Sequence, residues 1–343
     1  MTRVPAPRPL LWLAALVLAL TACAPRVAPG GDAVSDTPAR RDGRALVMPD
    51  GARLPLRVWD ARGNPGPQAV VLGVHGFNDY SMGFDLPAQW FAAQEIAVYA
   101  YDQRGFGGTP NRGVWPGEAV LARDLGRAVR WVKTRHPDTP VYVLGVSMGG
   151  GVTLAAADMG VLPEVAGIVL AAPAVWARET MPFYQRWALW LGAHTVPWLT
   201  LSGAGLDREP TDNAVALRTL AMDPKVIGKT RVDAIHGLVN LMDAALRGAD
   251  ALPVPALVLY GANDEIVPPE PTERFWQRLD GRSGVTRAFY PEGYHMLLRD
   301  TQAYTVWRDI RSWMADPAAP LPSGADARPL ERLTEMTSGD SGS

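Results

Sequence analysis

The stretch that decides the fold is residues 141–151, which read VYVLGVSMGGG. Its first six residues are apolar or glycine, which predicts a buried strand, and residues 148–158 have the spacing of a helix. Between the two lies the pattern Gly-x-Ser-x-Gly. This pattern is typical of a strand-to-helix turn so tight that only small neighbours fit, and it lifts the serine hydroxyl clear of the sheet. The sequence therefore predicts a nucleophile at Ser147; the alternative is a glycine-rich turn with a solvated serine.

Strand and helix patterns alternate on both sides of this turn. Predicted strands cover residues 69–74, 97–101, 141–146, 167–171, 256–260 and 286–290. Predicted helices cover residues 84–94, 116–135, 148–158, 271–279 and 301–314. Such alternation predicts an α/β fold with a mostly parallel central sheet and helices on both faces. Two earlier extended runs, 45–48 and 53–59, flank the turn sequence Pro-Asp-Gly and predict an antiparallel hairpin at one edge.

Residues 174–252 interrupt the alternation and have a helical pattern, which predicts an inserted lid. Four of the twelve tryptophans fall in its first part: Trp176, Trp187, Trp190 and Trp198. Between Thr180 and Leu206 the one formally charged residue is Arg186. A transmembrane helix is the competing interpretation, but Pro197 and several small polar residues disfavour it.

A serine nucleophile needs a base to take its proton and an acid to orient that base. Of the five histidines, His295 follows the last predicted strand, and Asp264 follows the strand before it. The carboxyl ends of parallel strands meet at one edge of a sheet, so we expect Ser147, Asp264 and His295 to lie together. Glu265 and Asp102 are the rivals for the role of the acid.

The oxyanion formed during attack needs two N–H donors. One is expected from Met148, directly after the nucleophile, and the other from Phe77 in the loop that follows residues 69–74. In that loop Gly76 allows close approach of the backbone, and His75 is assigned a supporting role.

The next predicted strand is followed by Asp102-Gln103-Arg104-Gly105. We interpret Asp102 and Arg104 as residues that brace this loop, with direct contact to substrate as the alternative.

Composition and missing motifs exclude several classes of function. The chain has 33 basic and 35 acidic residues and no long run of either sign, so nucleic acid is not an expected partner. It contains no phosphate-binding Walker loop, dinucleotide fingerprint or His-Glu-x-x-His pattern, so no nucleotide, metal or other cofactor is expected. A single cysteine, Cys23, allows neither an internal disulfide nor a cysteine metal cluster.

The first residues have the layout of an export signal. Arg3 and Arg8 precede an apolar run over residues 10–20, which is too short to span a bilayer, and Leu20-Thr21-Ala22-Cys23 resembles the bacterial lipoprotein box. We expect a signal peptide over residues 1–22 and a lipid on Cys23; a plain signal peptide is the alternative. Because Ala24 follows the cysteine, the resemblance favours attachment to the outer membrane of the bacterial envelope.

The domain boundaries follow from composition. Residues 23–43 and 317–343 are rich in Pro, Ala, Gly and Asp without hydrophobic periodicity, which predicts a flexible tether and a disordered tail. The folded domain is expected over residues 44–316.

With these motifs in place, the chain resembles the monoacylglycerol lipase and lysophospholipase branch of the α/β-hydrolase superfamily, often grouped with serine aminopeptidases. The resemblance covers about residues 44–315 and implies the catalytic triad Ser147, Asp264 and His295 with Phe77 and Met148 as the oxyanion hole. It also implies a lid over residues 174–252.

The resemblance implies a serine hydrolase that cleaves carboxylic esters of single-chain lipids through an acyl-enzyme. The expected partners are the lipid ester and, through the anchor, a membrane. A serine exopeptidase acting on short peptides is the alternative, and a catalytically inactive lipid-binding envelope protein is a further one. A serine at the nucleophile position disfavours the dehalogenase and epoxide-hydrolase branches, which use aspartate there.

Overall fold

The computed structural model describes residues 24–30, 37–63, 66–203, 208–253 and 255–327 of the 343-residue chain. The predicted signal peptide and Cys23 lie outside the described residues. Within these ranges, none of the helices combines the length and the apolar composition needed to cross a membrane.

In the part of the chain that the structure describes, a sheet of nine strands forms the centre. Its strands are β1 Arg40–Asp42, β2 Ala45–Val47, β3 Arg53–Trp59, β4 Ala69–Val74, β5 Ile96–Tyr101, β6 Val141–Val146, β7 Gly167–Ala171, β10 Ala256–Gly261 and β11 Val285–Tyr290. The spatial order is β1-β2-β3-β5-β4-β6-β7-β10-β11. From β5 to β11 all neighbours are parallel, whereas β1, β2 and β3 are joined antiparallel at one edge. The predicted hairpin, strands and mostly parallel sheet are confirmed.

Helices cover both faces of this sheet. They are α1 Asp85–Ala93, α2 Glu118–Arg135, α3 Met148–Asp158, α4 Phe183–Thr195, α5 Ala214–Met222, α6 Val232–Gly248, α7 Pro269–Arg278 and α8 Ala303–Ala315. Apolar residues of α2 and α3 form a core with one face of the sheet, and those of α1 and α8 form a core with the other. Because the parallel strands are covered on both sides, most of their residues are buried, as in β4, where all six are.

The predicted lid is a cap built from α4, α5 and α6. Helix α6 packs directly on α3, the helix that follows Ser147. Two short strands, β8 Thr200–Ser202 and β9 Lys229–Arg231, pair antiparallel within the cap. The expectation that residues 174–252 are helical was therefore wrong for these six residues. Their backbone groups form hydrogen bonds between two segments that lie far apart in the sequence.

The predicted flexible tether is ordered in part. Residues 40–42 form strand β1 against β2, and Ala39 is buried. Residues 24–30 also lie on the domain, where Ala28 N donates to Trp115 O at 2.8 Å. The prediction of a tether over residues 23–43 was wrong for these stretches because their backbone groups find partners that composition does not reveal.

The first part of the predicted disordered tail is also folded. Leu321 and Ala325 are buried, and Phe289 N in β11 donates to Ala325 O at 2.7 Å. Ser323 donates through its backbone N, at 3.1 Å, and through its hydroxyl to the buried carboxylate of Asp309 in α8. The prediction of disorder was wrong for residues 317–327, because they cover the open edge of the last strand.

We predict that a chain ending at Asp316 is less stable than the full chain by about 3 kcal/mol. The truncation exposes apolar surface that Leu321 covers and removes two hydrogen bonds from buried Asp309. Thermal or urea unfolding measures the difference, with a chain ending at Ala327 as the matched control. Equal stability of the two truncated chains would contradict this role of residues 317–327.

Candidate active site

Ser147 occupies the turn between β6 and α3 in a left-handed conformation, with φ of 51° and ψ of −115°. Its backbone is held at both ends, because Ser147 N donates to Ala171 O at 2.9 Å and Ser147 O accepts from Ala174 N at 2.9 Å. Such strain in a residue other than glycine persists only where the surroundings enforce it.

Close contacts with the backbone require glycine at both glycine positions of the pattern. A Cβ on Gly149 would lie 1.9 Å from Val74 O, and a Cβ on Gly145 would lie 2.7 Å from Gly149 O. Neither backbone neighbour can move without breaking the sheet or the helix. The pattern Gly-x-Ser-x-Gly is therefore a steric requirement of this turn.

The predicted base and acid lie beside the serine. His295 Nε2 is 2.9 Å from Ser147 Oγ, and His295 Nδ1 is 2.8 Å from Asp264 Oδ2. Since a carboxylate only accepts, Nδ1 carries the proton and Nε2 is free to accept one from the serine. The structure therefore brings Ser147, His295 and Asp264 into one hydrogen-bonded chain.

The carboxylate of Asp264 is fixed by its own loop. Its Oδ1 accepts from Ile266 N and Val267 N, each at 2.9 Å, which leaves Oδ2 for His295. The side chain is fully buried. Its rival Glu265 is exposed and instead accepts from Glu209 N. Asp264 is thus the carboxylate that orients the imidazole.

The two predicted oxyanion donors flank the serine. Met148 is the first residue of α3, where the backbone N–H has no partner within the helix. The loop with Gly76 and Phe77 lies against Ser147, so close that a Cβ on Gly76 would be 3.4 Å from the serine Cβ. The Phe77 ring packs on Phe106 at a centroid distance of 5.6 Å, which fixes this residue of the loop.

His75 is bonded within the loop that carries Gly76 and Phe77. It is buried, and Gln103 N donates to its Nε2 at 2.9 Å while its Nδ1 donates to Gly76 O at 2.8 Å. Burial lowers the pKa of His75, so the ring stays neutral and keeps this pattern of one donor and one acceptor. His75 therefore joins the loop of Gly76 to the loop that follows β5.

Asp102 and Arg104 both lie away from the reacting serine. Asp102 is buried, and its carboxylate accepts from Ser81 N at 3.1 Å, Ser81 Oγ at 2.5 Å and Gly108 N at 2.8 Å. Arg104 pairs with Asp50 at 2.6 Å and Asp124 at 2.5 Å. Both residues brace the loop after β5, and neither belongs to the set that lines the cavity at Ser147.

Ser147 and His295 open into a cavity of about 640 Å³ between the sheet and the cap. The cap contributes mostly apolar side chains to its wall: Trp176, Met181, Leu189, Leu220, Leu238 and Met242. A volume of this size holds a small organic ligand with an acyl chain. Apolar residues of the lid therefore form much of the wall of this cavity.

One polar corner of the cavity was not predicted from the sequence. Asp79, two residues after Phe77, pairs with the guanidinium of Arg299, and Arg299 Nε also donates to Gly83 O at 3.0 Å. Apart from the two histidines, these are the charged side chains among the described lining residues. They neutralise each other, so neither is available as a lone charge for an ionic substrate group.

Residues 208–213, which belong to the cap, hold two of the site loops and were also missed. Arg208 and Glu209 bond to Glu265 in the loop of the acid. Pro210 O accepts from Met296 N, the residue directly after His295, at 2.9 Å.

Two further residues of this segment bond to the chain after His295. Asp212 accepts from Thr301, and Asn213 Nδ2 donates to Arg299 O at 2.8 Å. No local pattern signals these contacts, because each joins residues 50 or more positions apart.

Among the described residues, no three His, Cys, Asp or Glu side chains are placed to hold a metal ion.

The parallel sheet, the serine turn and the Ser147–His295–Asp264 chain define an α/β hydrolase of the serine type. The family model of the serine aminopeptidases S33 matches residues 65–302, and the chain belongs to that family.

Alignments with related proteins cover most of the chain, as the family model does. The chain is 30% identical over 277 residues to the monoacylglycerol lipase of Mycolicibacterium smegmatis, an alignment that covers 77% of this chain and 93% of the relative. It is 28% identical to the human monoglyceride lipase over 80% and 90% of the two chains. A soluble variant of the Saccharomyces cerevisiae monoglyceride lipase, solved with a substrate analogue, superposes with a TM-score of 0.66 at 23% identity over 81% and 97% of the two chains.

We predict that Asp264→Asn lowers kcat by about 10⁴-fold with little change in KM, because the amide favours the wrong imidazole tautomer. Asp102→Asn is the matched control, since Asp102 is equally buried but bonds to Ser81 and Gly108 rather than to a histidine. It should lower the unfolding temperature and leave the activity of the folded enzyme within about tenfold. Steady-state kinetics and thermal unfolding of both variants test the assignment, and the reverse pattern of losses would contradict it.

Proposed function

We propose that the protein cleaves the ester of a single-chain lipid, of the monoacylglycerol or lysophospholipid type, through an acyl-enzyme on Ser147. The observation that carries this proposal is the Ser147–His295–Asp264 chain, whose serine and histidine line the apolar cavity under the cap. The names of the M. smegmatis and human relatives support the same substrate class.

In this mechanism His295 Nε2 removes the proton from Ser147 Oγ as the oxygen attacks the ester carbonyl. The resulting oxyanion accepts hydrogen bonds from the N–H groups of Phe77 and Met148. Asp264 stabilises the imidazolium without taking its proton. His295 then protonates the leaving alcohol, and water, activated by the same histidine, releases the fatty acid.

The lining of the cavity suits both parts of such a substrate. The apolar wall supplied by the cap suits an acyl chain, because each methylene removed from water contributes roughly 0.8 kcal/mol. The Asp79–Arg299 corner offers both hydrogen-bond donors and acceptors to an alcohol with further hydroxyls.

A peptide substrate fits the cavity less well. An exopeptidase needs a charged group that binds the free ammonium or carboxylate of its substrate. Without such a group, the charge of the substrate would be buried and unpaired. The charged pair among the described lining residues is already neutralised. We therefore favour the ester over the exopeptidase, and the intact Ser147–His295 hydrogen bond favours an enzyme over an inactive lipid-binding protein.

We predict that kcat/KM rises by about 100-fold from acetyl to octanoyl esters. If the cavity buries four of the added methylenes, their removal from water stabilises the transition state by about 3 kcal/mol, which corresponds to this increase. A series of esters below the critical micelle concentration measures this slope. An aminoacyl arylamide, run in parallel, should not be cleaved. A flat series, or arylamide turnover equal to that of the best ester, would favour the exopeptidase.

We also propose that the protein is an exported lipoprotein held at the outer membrane by lipid on Cys23. The support is the sequence itself: the Arg-bearing start, the apolar run over residues 10–20 and the box that ends at Cys23. One acyl chain binds a membrane only marginally, so stable attachment requires the several chains of a mature lipoprotein.

We predict that Cys23→Ser prevents lipidation and leaves an unprocessed or soluble chain. Mass spectrometry of the mature N-terminus and partitioning into detergent compare this variant with the parent. An unchanged mass and unchanged partitioning would contradict the proposed anchor.

A further inference from the structure

Asn78, the residue after the oxyanion donor Phe77, has a left-handed backbone with φ of 63°. Residues other than glycine adopt this conformation rarely, although asparagine does so more often than most. Such a conformation persists only where the surroundings hold it. The contacts of Asn78 therefore show which part of the molecule fixes the backbone beside Phe77.

The side chain and the carbonyl of Asn78 both bond to one segment of the cap. Asn78 Nδ2 donates to Thr230 Oγ1 at 2.7 Å, and Asn78 O accepts from Ile227 N at 2.9 Å. Thr230 is the central residue of β9, and Ile227 lies two residues before that strand. Asn78 is thus joined, through side chain and backbone, to the short stretch 227–230 of the cap.

The donor is held on its other side by the loop after β5. The N–H of Phe77 and the carbonyl of Gly76 belong to one peptide unit, and Gly76 O accepts from His75 Nδ1 at 2.8 Å. Because a peptide unit is planar, a bond to its oxygen restricts the direction of its N–H. His75 in turn accepts from Gln103 N in the loop after β5. The Phe77 N–H is therefore fixed from two directions, by this loop and by the cap.

The cap segment that holds Asn78 is continuous with the wall of the cavity. Strand β9 leads directly into α6, whose Leu238 lines the cavity. Strand β9 also pairs with β8, which follows α4, and Leu189 of α4 lines the same cavity. A displacement of this part of the cap would act on Asn78 through both of its hydrogen bonds.

We infer that Asn78 and Thr230 are positioning residues for the oxyanion donor at Phe77. They act through Phe77, because the hydrogen bond between them sets the direction of its N–H toward the oxygen of the tetrahedral intermediate. The cap thereby contributes to stabilising the transition state as well as to binding the acyl chain. The inference rests on the proposed function, since this oxyanion forms only if Ser147 attacks an ester.

A role in cap stability alone predicts a different kinetic result. If the bond between Asn78 and Thr230 only stabilised the cap, its loss would lower the unfolding temperature or raise KM. A bond that directs an oxyanion donor acts on the transition state, so its loss lowers kcat at nearly constant KM. The two roles are therefore separated by measuring kcat, KM and unfolding of the same variants.

Thr230→Val removes the bond, because valine has the shape of threonine without the oxygen that accepts from Asn78. We expect kcat to fall by about tenfold with KM within about twofold, since loss of a whole oxyanion donor costs at least about 100-fold and misdirection costs less. Thr230→Ser keeps the oxygen and should retain most of kcat. Thr200→Val is the matched control, because Thr200 is exposed on β8 and pairs with Arg231.

Asn78→Gly removes the same bond from its other end, while glycine keeps the left-handed backbone. We expect a loss of kcat similar to that of Thr230→Val. The double variant should be no slower than the slower single variant, because both changes remove one interaction. Losses that multiply in the double variant would overturn the inference. Asn78→Gly also provides the test if Thr230→Val does not fold.

A trifluoromethyl ketone with an acyl chain reports the oxyanion directly. Ser147 Oγ adds to its carbonyl carbon, the π electrons of the carbonyl move to the oxygen, and the serine proton passes to His295. The resulting alkoxide occupies the place of the transition-state oxyanion. We expect the Ki of this ketone to rise by about tenfold in Thr230→Val and to stay unchanged in Thr200→Val.

The outcomes separate this inference from the proposed function. In an active parent, Thr230→Val with unchanged kcat and unchanged ketone affinity would overturn only the inference, whatever its unfolding temperature or KM. Equal losses of kcat in Thr230→Val and Thr200→Val would overturn it as well. A parent that neither hydrolyses a lipid ester nor binds the ketone would refute the proposed reaction, and this inference with it.

Discussion

The strained turn at Ser147 is the constraint on which the rest of the site depends. The serine holds a positive φ because its N–H and C=O are bonded to Ala171 and Ala174 at the end of β7, and because α3 begins within contact of Val74 O. This arrangement exposes the hydroxyl above the sheet and places the N–H of Met148 beside it. A larger residue at Gly149 would separate α3 from β4 and lose both effects.

The other groups of the site come from three further loops at the same edge of the sheet, and the cap ties these loops together. Residues 208–213 bond to the loops of Asp264 and His295, as shown by Glu209 with Glu265 and by Pro210 with Met296. Asn78, next to Phe77, bonds to Ile227 and Thr230 in the cap. The cap therefore positions the reacting groups as well as forming the wall of the cavity.

The sequence was sufficient for the parts of the site that depend on local pattern. The serine turn is specified by steric requirements that only glycine meets, and Asp264 and His295 follow strands whose apolar runs are unmistakable. The positions of these three residues at one edge then follow from the parallel arrangement of the strands.

The remaining features depend on contacts between distant residues, for which the sequence has no local sign. Residues 317–327 have the composition of a loose tail, yet Leu321 is buried and Ser323 bonds to Asp309. Strands β8 and β9 are three residues each, too short for a period to be visible, and exist because they pair with each other. The Asp79–Arg299 pair joins residues 220 positions apart.

The central claim is that Ser147, activated by His295, attacks the ester. Labelling of the purified protein with a fluorophosphonate, followed by peptide mass spectrometry, tests it most directly, because the reagent forms a stable bond only with an activated serine. The account predicts one labelled residue, Ser147, whose labelling is slowed by an excess of monoacylglycerol and abolished in a folded His295→Ala variant. Labelling at another serine, or rapid ester hydrolysis by a protein whose Ser147 does not react, would contradict it.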